Sequence, residues 1–321
     1  MASVRAWGEF LSFLDHVAVR IIPLEINASM SWITFAVAAA LVWAVVNIID
    51  KYILTRWAHP ALVVLVLGVV GLATSGLIYV FRGFSSLDFT HIGIALIAGA
   101  VYALASILYF TAAQREEISR VAPLFHLAPL FVAFLAAIFL GEVFGPYLYL
   151  GIILLFAGSA LLTSRGISLR PGAHLWPMVA SAVSFAVHLV LIKYLLNSTD
   201  YWTVLGYARI GTFLALVPVA VLNRDSLISF ARRHGALPAG IIACNEALNM
   251  VGVVFYYSAA SMGFITLVEA LTTVQSFFVL IIASALSIWY PKFLVEEASA
   301  RTVARKAAAI GLLVVGALLV T

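Results

Sequence analysis

Residues 243–261 read "ACNEALNMVGVVFYYSAAS", a stretch apolar enough to cross a membrane that nevertheless carries an acid and two amides. Asn245, Glu246 and Asn249 fall within little more than one helical turn, and the i,i+3 spacing puts Glu246 and Asn249 on the same side of a helix. Lipid would leave these groups without hydrogen bonds, at a high cost in free energy. The stretch therefore predicts a membrane helix whose polar face points into a helical bundle.

The composition of the whole chain agrees with this interpretation. Of its 321 residues, 64% are hydrophobic and 10% are charged, and the mean hydropathy is +1.12. A soluble domain cannot hide so much apolar surface, and the long continuous apolar runs lack the alternation of a transmembrane barrel. The predicted fold class is an all-α polytopic membrane protein. The single cysteine, Cys244, excludes an intrachain disulfide and a thiolate metal cluster.

The chain contains ten apolar runs of the length that a bilayer requires. They are predicted at 31–50, 60–81, 92–113, 120–141, 146–164, 174–196, 202–222, 236–260, 263–289 and 304–321. Ahead of them, charged residues interrupt the apolar pattern of residues 1–29, which predicts an amphipathic segment on the membrane surface and not a signal peptide.

Two short motifs occur twice along the chain. "DKYIL" (50–54) is matched by "IKYLL" (192–196), and "YFTAA" (109–113) by "YYSAA" (256–260), at similar offsets. Each half is therefore predicted to be a five-helix unit, and because five is odd the second unit enters the membrane inverted. The predicted organisation is a first repeat at 30–164, a linker at 165–173 and a second repeat at 174–321.

Loop charges predict the orientation. Thirteen of the 18 Lys and Arg residues fall in the loops after the odd-numbered spans, four fall on the opposite side, and Arg209 lies inside a span. The positive-inside rule puts the thirteen in the cytoplasm and both termini outside. The basic balance fits the inner face of a prokaryotic cytoplasmic membrane and gives no indication of nucleic-acid binding.

Residues 119–142, "SRVAPLFHLAPLFVAFLAAIFLGE", resemble the fourth helix of an EamA-type half in the drug/metabolite transporter superfamily. Pro129 and the closing Gly141-Glu142 carry the likeness. Glycines of the fifth and tenth spans add to it, at positions 151, 158, 311 and 316. The resemblance implies a ten-helix basket with a central cavity, in which the fourth, fifth, ninth and tenth helices are mainly scaffold.

The chain departs from that family pattern in two respects. The second half reads "SALSIWYPK" at 284–292, where a Gly-Glu ending is expected, so this corner is built differently. Family members are usually drawn with cytoplasmic termini, whereas the charges here predict the reverse.

Arg209 is the first candidate site residue, because an arginine at the centre of a membrane helix costs about 2.5–3.5 kcal/mol to insert and needs a partner or a wet cavity. One interpretation is a structural ion pair with Glu246 or Glu269. The other is a receptor for a carboxylate or phosphate, held by the guanidinium fork. The two coexist if the substrate displaces the internal carboxylate.

Glu246 and Glu269 are predicted to be the proton-coupling groups, because burial disfavours the charged form of a carboxyl group. For Glu246, the alternative is hydrogen-bonding glue between helices, worth only about 0.6 kcal/mol on average. The other predicted substrate contacts are polar or aromatic residues of several spans: Trp43, Asn47, Tyr102, His126, His188, Asn245, Asn249 and Gln275. Structural packing is the alternative for the histidines and Tyr102, and Asp50-Lys51 is predicted to be an interfacial pair.

These features predict a secondary transporter that moves a small polar or anionic metabolite by alternating access. The chain contains no motif typical of ATP-driven pumps, dehydrogenases or hydrolases, and no cofactor or metal is expected. The alternatives are a flippase for a lipid-linked anionic substrate, such as a polyprenyl-phosphate sugar, and a membrane-embedded enzyme using Glu246 and His126. A third is a non-transporting membrane scaffold, which leaves the interior ionisable groups unexplained. The expected partners are the substrate and membrane lipid, with the chain a monomer or a homodimer.

The charge asymmetry makes the orientation testable. We expect a cysteine tag at Thr321 to react with an impermeant reagent in intact cells, because the last span should end outside. Labelling that requires permeabilisation of the membrane would contradict this orientation.

Overall fold

The structure is a computed structural model that describes residues 32–57, 60–115, 124–163, 175–289 and 300–321. All of its regular elements within these ranges are α-helices. They are α1 (Trp32–Arg56), α2 (Pro60–Arg82), α3 (Phe89–Arg115), α4 (Ala128–Phe139), α5 (Pro146–Thr163), α6 (Leu175–Leu196), α7 (Tyr201–Leu222), α8 (Arg224–His234), α9 (Leu237–Met262), α10 (Ile265–Thr272), α11 (Gln275–Trp289) and α12 (Ala300–Val320). The predicted N-terminal segment (1–29) and linker (165–173) lie outside the described residues.

Seven stretches of the described chain are long and apolar enough to cross a membrane. Six of them lie on α1, α2, α3, α6, α7 and α9, and the seventh, Ile265–Leu286, runs through α10 into α11. Ala128–Phe139 and Pro146–Leu162 are shorter apolar helices. The predicted all-helical membrane fold is therefore confirmed, and seven of the ten predicted spans correspond to a full-length candidate.

Two of the predicted continuous spans are interrupted. In the fourth, a turn at His126-Leu127 precedes α4, because Pro129 near the helix start has no N–H to continue the preceding turn. In the ninth, the hydroxyl groups of Thr272 and Thr273 donate to the carbonyls of Glu269 and Ala270 at 2.8 and 2.7 Å, so α10 ends there and α11 begins after a tight turn.

The charged segment between the seventh and eighth predicted spans, for which no helix was predicted, forms one. This helix, α8, has no buried residue and carries Arg232, Arg233 and His234 in its last turn, where positive charge complements the helix dipole. Since α7 ends just before it and α9 starts just after it, α8 lies at the end of the bundle.

Close helix contacts depend on glycines at crossing points. A Cβ atom added to Gly99 on α3 would lie 1.9 Å from the carbonyl oxygen of Ala208, and one added to Gly211 on α7 would lie 2.2 Å from that of Leu96. The glycines of the fifth and tenth spans also lie at a crossing, since a Cβ atom at Gly316 would lie 2.9 Å from the carbonyl oxygen of Gly151. Small residues thus bring these backbones together as they do in other membrane bundles.

The helix pairs with the most extensive packing are α5 with α12, α3 with α6, α3 with α7, α1 with α9, and α2 with α7. The main core cluster includes Phe35 on α1, Ile192 on α6, and Tyr256 and Tyr257 on α9. Helices from the two halves of the chain therefore enclose the same interior.

At one end of the bundle, Asp200 joins the loop after α2 to the start of α7. Its carboxylate accepts hydrogen bonds from the backbone N–H groups of Trp202 and Thr203, each at 3.1 Å, and from the hydroxyl group of Ser85 at 2.6 Å. Partial burial raises the pKa of Asp200, but the hydrogen bonds from Ser85, Thr203 and Trp202 outweigh it, so its pKa is lowered from the ordinary value of 3.8. The ionised carboxylate thus stabilises this end.

Replacing Asp200 by Ala is expected to lower the free energy of unfolding by about 1 kcal/mol, the usual contribution of a helix cap. Because the folded pKa is depressed, the contribution is complete above the ordinary value of 3.8 and disappears as the pH falls through the lowered folded pKa. Denaturation of the purified protein at neutral and acidic pH measures both effects.

The matched control is Asp225→Ala, at an exposed acid in the first turn of α8 that pairs with Arg224 at 3.4 Å. Its effect should stay below about 0.5 kcal/mol, as for other surface substitutions. Equal effects of the two substitutions at neutral pH would show that the Asp200 hydrogen bonds contribute nothing specific.

Candidate functional site

Ionisable side chains from several helices are buried in the interior of the bundle. Arg209 on α7, Glu246 on α9 and Glu269 on α10 retain only 2%, 4% and 6% of their exposed area. Each of the three was predicted to face the interior, and the structure buries all of them. They fall into an arginine centre, a carboxyl–amide cluster and a carboxyl–aromatic cluster.

Arg209 is held by aromatic and backbone contacts. Its guanidinium carbon lies 4.9 Å from the centre of the Tyr102 ring on α3, a cation–π distance. On the other side the arginine stem packs against Gly71 of α2, where an added Cβ atom would lie 3.2 Å from its Cδ. This packing fixes the stem and leaves the charged head to face the interior.

The guanidinium group keeps unused hydrogen-bonding capacity. Within the described residues, neither Nε nor Nη1 of Arg209 has a hydrogen-bond partner. The described carboxylates form no ion pair with it within 4.0 Å, although its charge interacts with that of Glu246 over a longer distance. The ion pair that was one interpretation of Arg209 is therefore not formed directly, and Nε and Nη1 have no hydrogen-bond partner among the described residues.

The carboxyl–amide cluster joins α1 to α9. Nδ2 of Asn245 donates to Oδ1 of Asp50 at 2.7 Å, and Nδ2 of Asn249 donates to Oε2 of Glu246 at 3.0 Å. The carboxyl groups of Asp50 and Glu246 also interact electrostatically. Asp50 was expected to form an interfacial pair with Lys51, and the structure places it in this cluster because α1 packs along α9.

The carboxyl–aromatic cluster lies one helix turn from the α9–α10 corner. The Tyr256 hydroxyl group donates to Oε2 of Glu269 at 2.9 Å, so Glu269 has a tyrosine partner and no direct bond to Arg209. The Tyr256 ring in turn lies 5.4 Å from that of Trp43 on α1. Trp43 fits because position 252 is glycine, where an added Cβ atom would lie 2.5 Å from the indole nitrogen.

His188 links α6 to the arginine centre. Its Nδ1 lies 2.8 Å from the carbonyl oxygen of Ala98, which can only accept, so Nδ1 carries the hydrogen and Nε2 is left as an acceptor. The His188 ring lies 5.1 Å from that of Tyr102, the aromatic partner of Arg209. Both residues therefore belong to the wall of the arginine centre.

The remaining predicted contacts are less closely connected. His126 is half-buried in the turn before α4, Gln275 is half-buried at the start of α11, and Asn47 is exposed on α1. The structure brings none of them into the hydrogen-bonded clusters. Tyr256 is a site residue that was not predicted, although its place in the repeated "YYSAA" motif was a usable signal.

The three groups together offer donors and acceptors to a small polar molecule. Arg209 provides N–H donors, and Oδ1 of Asn245 is a buried acceptor without a partner in the described chain. Among the described residues no group of three or more His, Cys, Asp or Glu side chains is arranged to hold a metal ion. Arg209 and Asn245 thus present buried polar atoms that no described protein group satisfies.

A bundle of apolar helices that encloses ionisable groups defines a membrane protein built around a polar interior, as transporters are. Residues 30–164 match the EamA-like transporter family, which confirms the resemblance predicted from the sequence. The matched segment and the apolar helices support a transmembrane transporter of the drug/metabolite type, and members of the matched family are transporters and not typically enzymes.

Comparison with solved structures supports the fold. One structure, described only as "Crystal structure of protein", aligns with a TM-score of 0.65 over 91% of this chain and 98% of its own chain. The sequences are 18% identical, so the likeness concerns the fold alone. No curated protein matches the chain in sequence.

The contact between Trp43 and Gly252 gives a test of the site's packing. Gly252→Ala is expected to lower the free energy of unfolding by about 1–3 kcal/mol, because the added methyl group displaces the indole ring. Thermal unfolding in detergent measures the effect. Gly76→Ala is the control, since nothing lies within 4 Å of a Cβ atom there and alanine favours the helix. Equal stability of the two variants would contradict the close packing.

Proposed function

We propose that the protein is a secondary-active transporter that moves a small polar or anionic metabolite by alternating access. The observation that carries the proposal is Arg209, a buried arginine with unused donors at Nε and Nη1 inside a bundle of membrane helices. A charge in that place is costly unless it has a function or a partner. An anionic substrate supplies the partner and so binds at this group.

Substrate binding rests on the shape of the arginine centre. The planar guanidinium group can donate two parallel hydrogen bonds to a carboxylate or phosphate. The Tyr102 ring, 4.9 Å from the guanidinium carbon, holds the group in one plane. Asn245, with its unpartnered Oδ1, lies on the neighbouring helix α9 and accepts from a hydroxyl or amine group of the same substrate.

Proton linkage is assigned to Glu246, with Glu269 as a second carrier. Arg209 and Glu246 attract each other, whereas Asp50 and Glu246 repel each other when both are ionised. An anion bound at Arg209 neutralises the charge that favours ionised Glu246, so uptake of a proton by Glu246 becomes easier. Substrate and proton occupancy are thereby linked through one electrostatic network.

The proposed architecture is ten spans arranged as two inverted repeats. The packing supports this arrangement. In the proposed repeat α1 corresponds to α6 and α3 to α9, and the contact of α1 with α9 matches that of α6 with α3. The counterpart helices α2 and α7 also pack on each other, as do α5 and α12. The family match covers 30–164, the bounds predicted for the first repeat. We place the protein in a prokaryotic cytoplasmic membrane with both termini outside, as a monomer or a homodimer.

The binding step can be tested with simple anions as probes. Purified protein is screened by thermal shift against inorganic phosphate and a set of mono- and dicarboxylates, and the best probe is titrated. Arg209→Ala should weaken its binding by at least tenfold, because one charge-assisted hydrogen bond contributes about 1.5–3 kcal/mol. Arg82→Ala is the matched control. The guanidinium carbon of Arg82 also lies over an aromatic ring, 5.0 Å from the centre of Trp202, but Arg82 is at the end of a helix outside the site.

Three outcomes of this assay decide between the proposal and its alternatives. Binding of the soluble anions that depends on Arg209 supports the proposal. Binding that is seen only with lipid-linked phosphates supports the flippase alternative, and equal loss in the Arg209→Ala and Arg82→Ala variants contradicts an anion receptor at Arg209.

The transport step is tested in proteoliposomes with the bound probe. Glu246→Gln should keep probe binding within about threefold and remove the dependence of uptake on a pH gradient, because glutamine keeps the shape but cannot release a proton. Wild-type pH dependence in Glu246→Gln would exclude Glu246 as the carrier. The same assay on Glu269→Gln then decides whether Glu269 carries the proton.

A further inference from the structure

Two further buried charges lie outside the three clusters of the site. Glu142, just after α4, and Lys193, near the end of α6, retain 4% and 9% of their exposed area. Both reach the same place, the corner that joins α9 to α10. From the sequence, Glu142 was noted only as part of the Gly-Glu ending of the fourth helix, and Lys193 only as part of the repeated motif at the end of the sixth.

Glu142 closes the start of α10. Its Oε1 accepts the backbone N–H of Ile265 and its Oε2 accepts that of Thr266, each at 3.0 Å. No side chain of its own segment caps α10, so a carboxylate from the first half of the chain does so. The positive φ of Gly141, +69°, makes the turn that directs Glu142 away from α4, which explains the Gly-Glu pair in the sequence.

Lys193 closes the end of α9. Its ammonium group donates to the carbonyl oxygens of Ala260 and Gly263, both at 2.8 Å. A lysine near the end of a membrane helix commonly extends toward water, whereas the side chain of Lys193 turns into the protein. It also interacts electrostatically with Glu142.

The two charges complement the helix ends that they bind. A helix carries partial positive charge at its N-terminus and partial negative charge at its C-terminus. Glu142 sits at the N-terminus of α10 and Lys193 at the C-terminus of α9, so each satisfies orphan backbone groups and both stabilise the same turn. Removing either one leaves the other buried without its electrostatic partner.

This corner connects two residues of the candidate site. Tyr256 lies one turn before Ala260 on α9, and Glu269 lies one turn after Ile265 on α10, and the two side chains share a hydrogen bond of 2.9 Å. The angle between α9 and α10 decides whether that bond forms. The groups that fix the corner therefore also fix the distance between Tyr256 and Glu269.

We propose that Glu142 and Lys193 are positioning residues that clamp the α9–α10 corner, hold Tyr256 and Glu269 together, and keep this end of the bundle closed. The inference rests on the proposed transport function in one respect: in a transporter that alternates, the clamp must release when this end opens. Its place at a contact between the first half and the second makes it suited to that role.

The sequence indicates that the clamp belongs to one end only. Lys51 corresponds to Lys193 in the repeated "KYIL" and "KYLL" motifs, so the other half has a lysine at the matching place. The segment that corresponds to Gly141-Glu142 reads "SALSIWYPK" at 284–292 and contains no acid. The acid of the Glu142–Lys193 pair therefore has no counterpart at the matching position of the second half.

A buried reporter cysteine tests the clamp without any substrate. In full-length protein with Cys244→Ala, Ser258→Cys places a thiol two residues before Ala260, at a position that retains 2% of its exposed area. The rate of its reaction with a charged methanethiosulfonate reports water access to the corner. Glu142→Gln and Lys193→Met should each raise this rate at least tenfold, and Lys51→Met, the matched control, should leave it unchanged.

Three comparisons separate positioning from general destabilisation. The double variant should react no faster than the faster single variant, because the two charges act as one unit. Lys193→Arg, which keeps the charge and the donors, should restore protection. A second reporter, Ser159→Cys, replaces a buried serine that bonds to Ser276 between α5 and α11, and it should stay protected in every variant.

The opposite results overturn the proposal. Unchanged labelling at position 258 in both single variants means that the corner does not depend on the clamp. An equal increase in the labelling rate at positions 159 and 258 means that the variants unfold globally. Neither result bears on anion binding at Arg209. Failure of the anion-binding test at Arg209 likewise does not change the result of thiol labelling at position 258. Failure of the proposed function and failure of the proposed clamp can therefore be distinguished.

Discussion

The bilayer supplies no hydrogen bonds, so each charge inside this bundle must be satisfied by groups from other helices or by a ligand. Glu142 and Lys193 represent the first solution, since each makes two hydrogen bonds to backbone groups of the α9–α10 corner. Arg209 differs, because its Nε and Nη1 have no partner in the described chain. In the proposed function, a substrate anion is the partner of this group.

The same constraint explains why helices are interrupted near the site. A break exposes backbone groups, which is tolerable in a membrane only where protein groups satisfy them. At the start of α10 the carboxylate of Glu142 does so, and at its end the hydroxyl groups of Thr272 and Thr273 do so. The short helix α10, which carries Glu269, is therefore anchored at both ends by side chains and can hold its carboxyl group at a defined place.

Close packing and polar chemistry depend on each other in this bundle. Gly252 leaves room for Trp43, whose ring supports Tyr256, and Tyr256 donates to Glu269. Gly71 leaves room for the stem of Arg209 in the same way. The glycines thus decide where large and charged side chains fit, and a larger residue at either position would move a site residue without contacting a substrate.

The sequence alone determined the membrane class, the helical fold, most helix boundaries and the burial of Arg209, Glu246 and Glu269, because hydropathy and helical spacing are local properties. It also indicated the EamA-like family, through Pro129 and Gly141-Glu142, which the match over 30–164 confirms. Only the tertiary structure decided the partners. Three contacts show this. Asp50 meets Asn245 across 195 residues of chain, Tyr256 meets Glu269 across 13, and Glu142 meets Ile265 across 123. Such contacts follow from how the helices pack. Spacing along one helix shows which side chains share a face, but the facing helix and its register determine which group each of them meets.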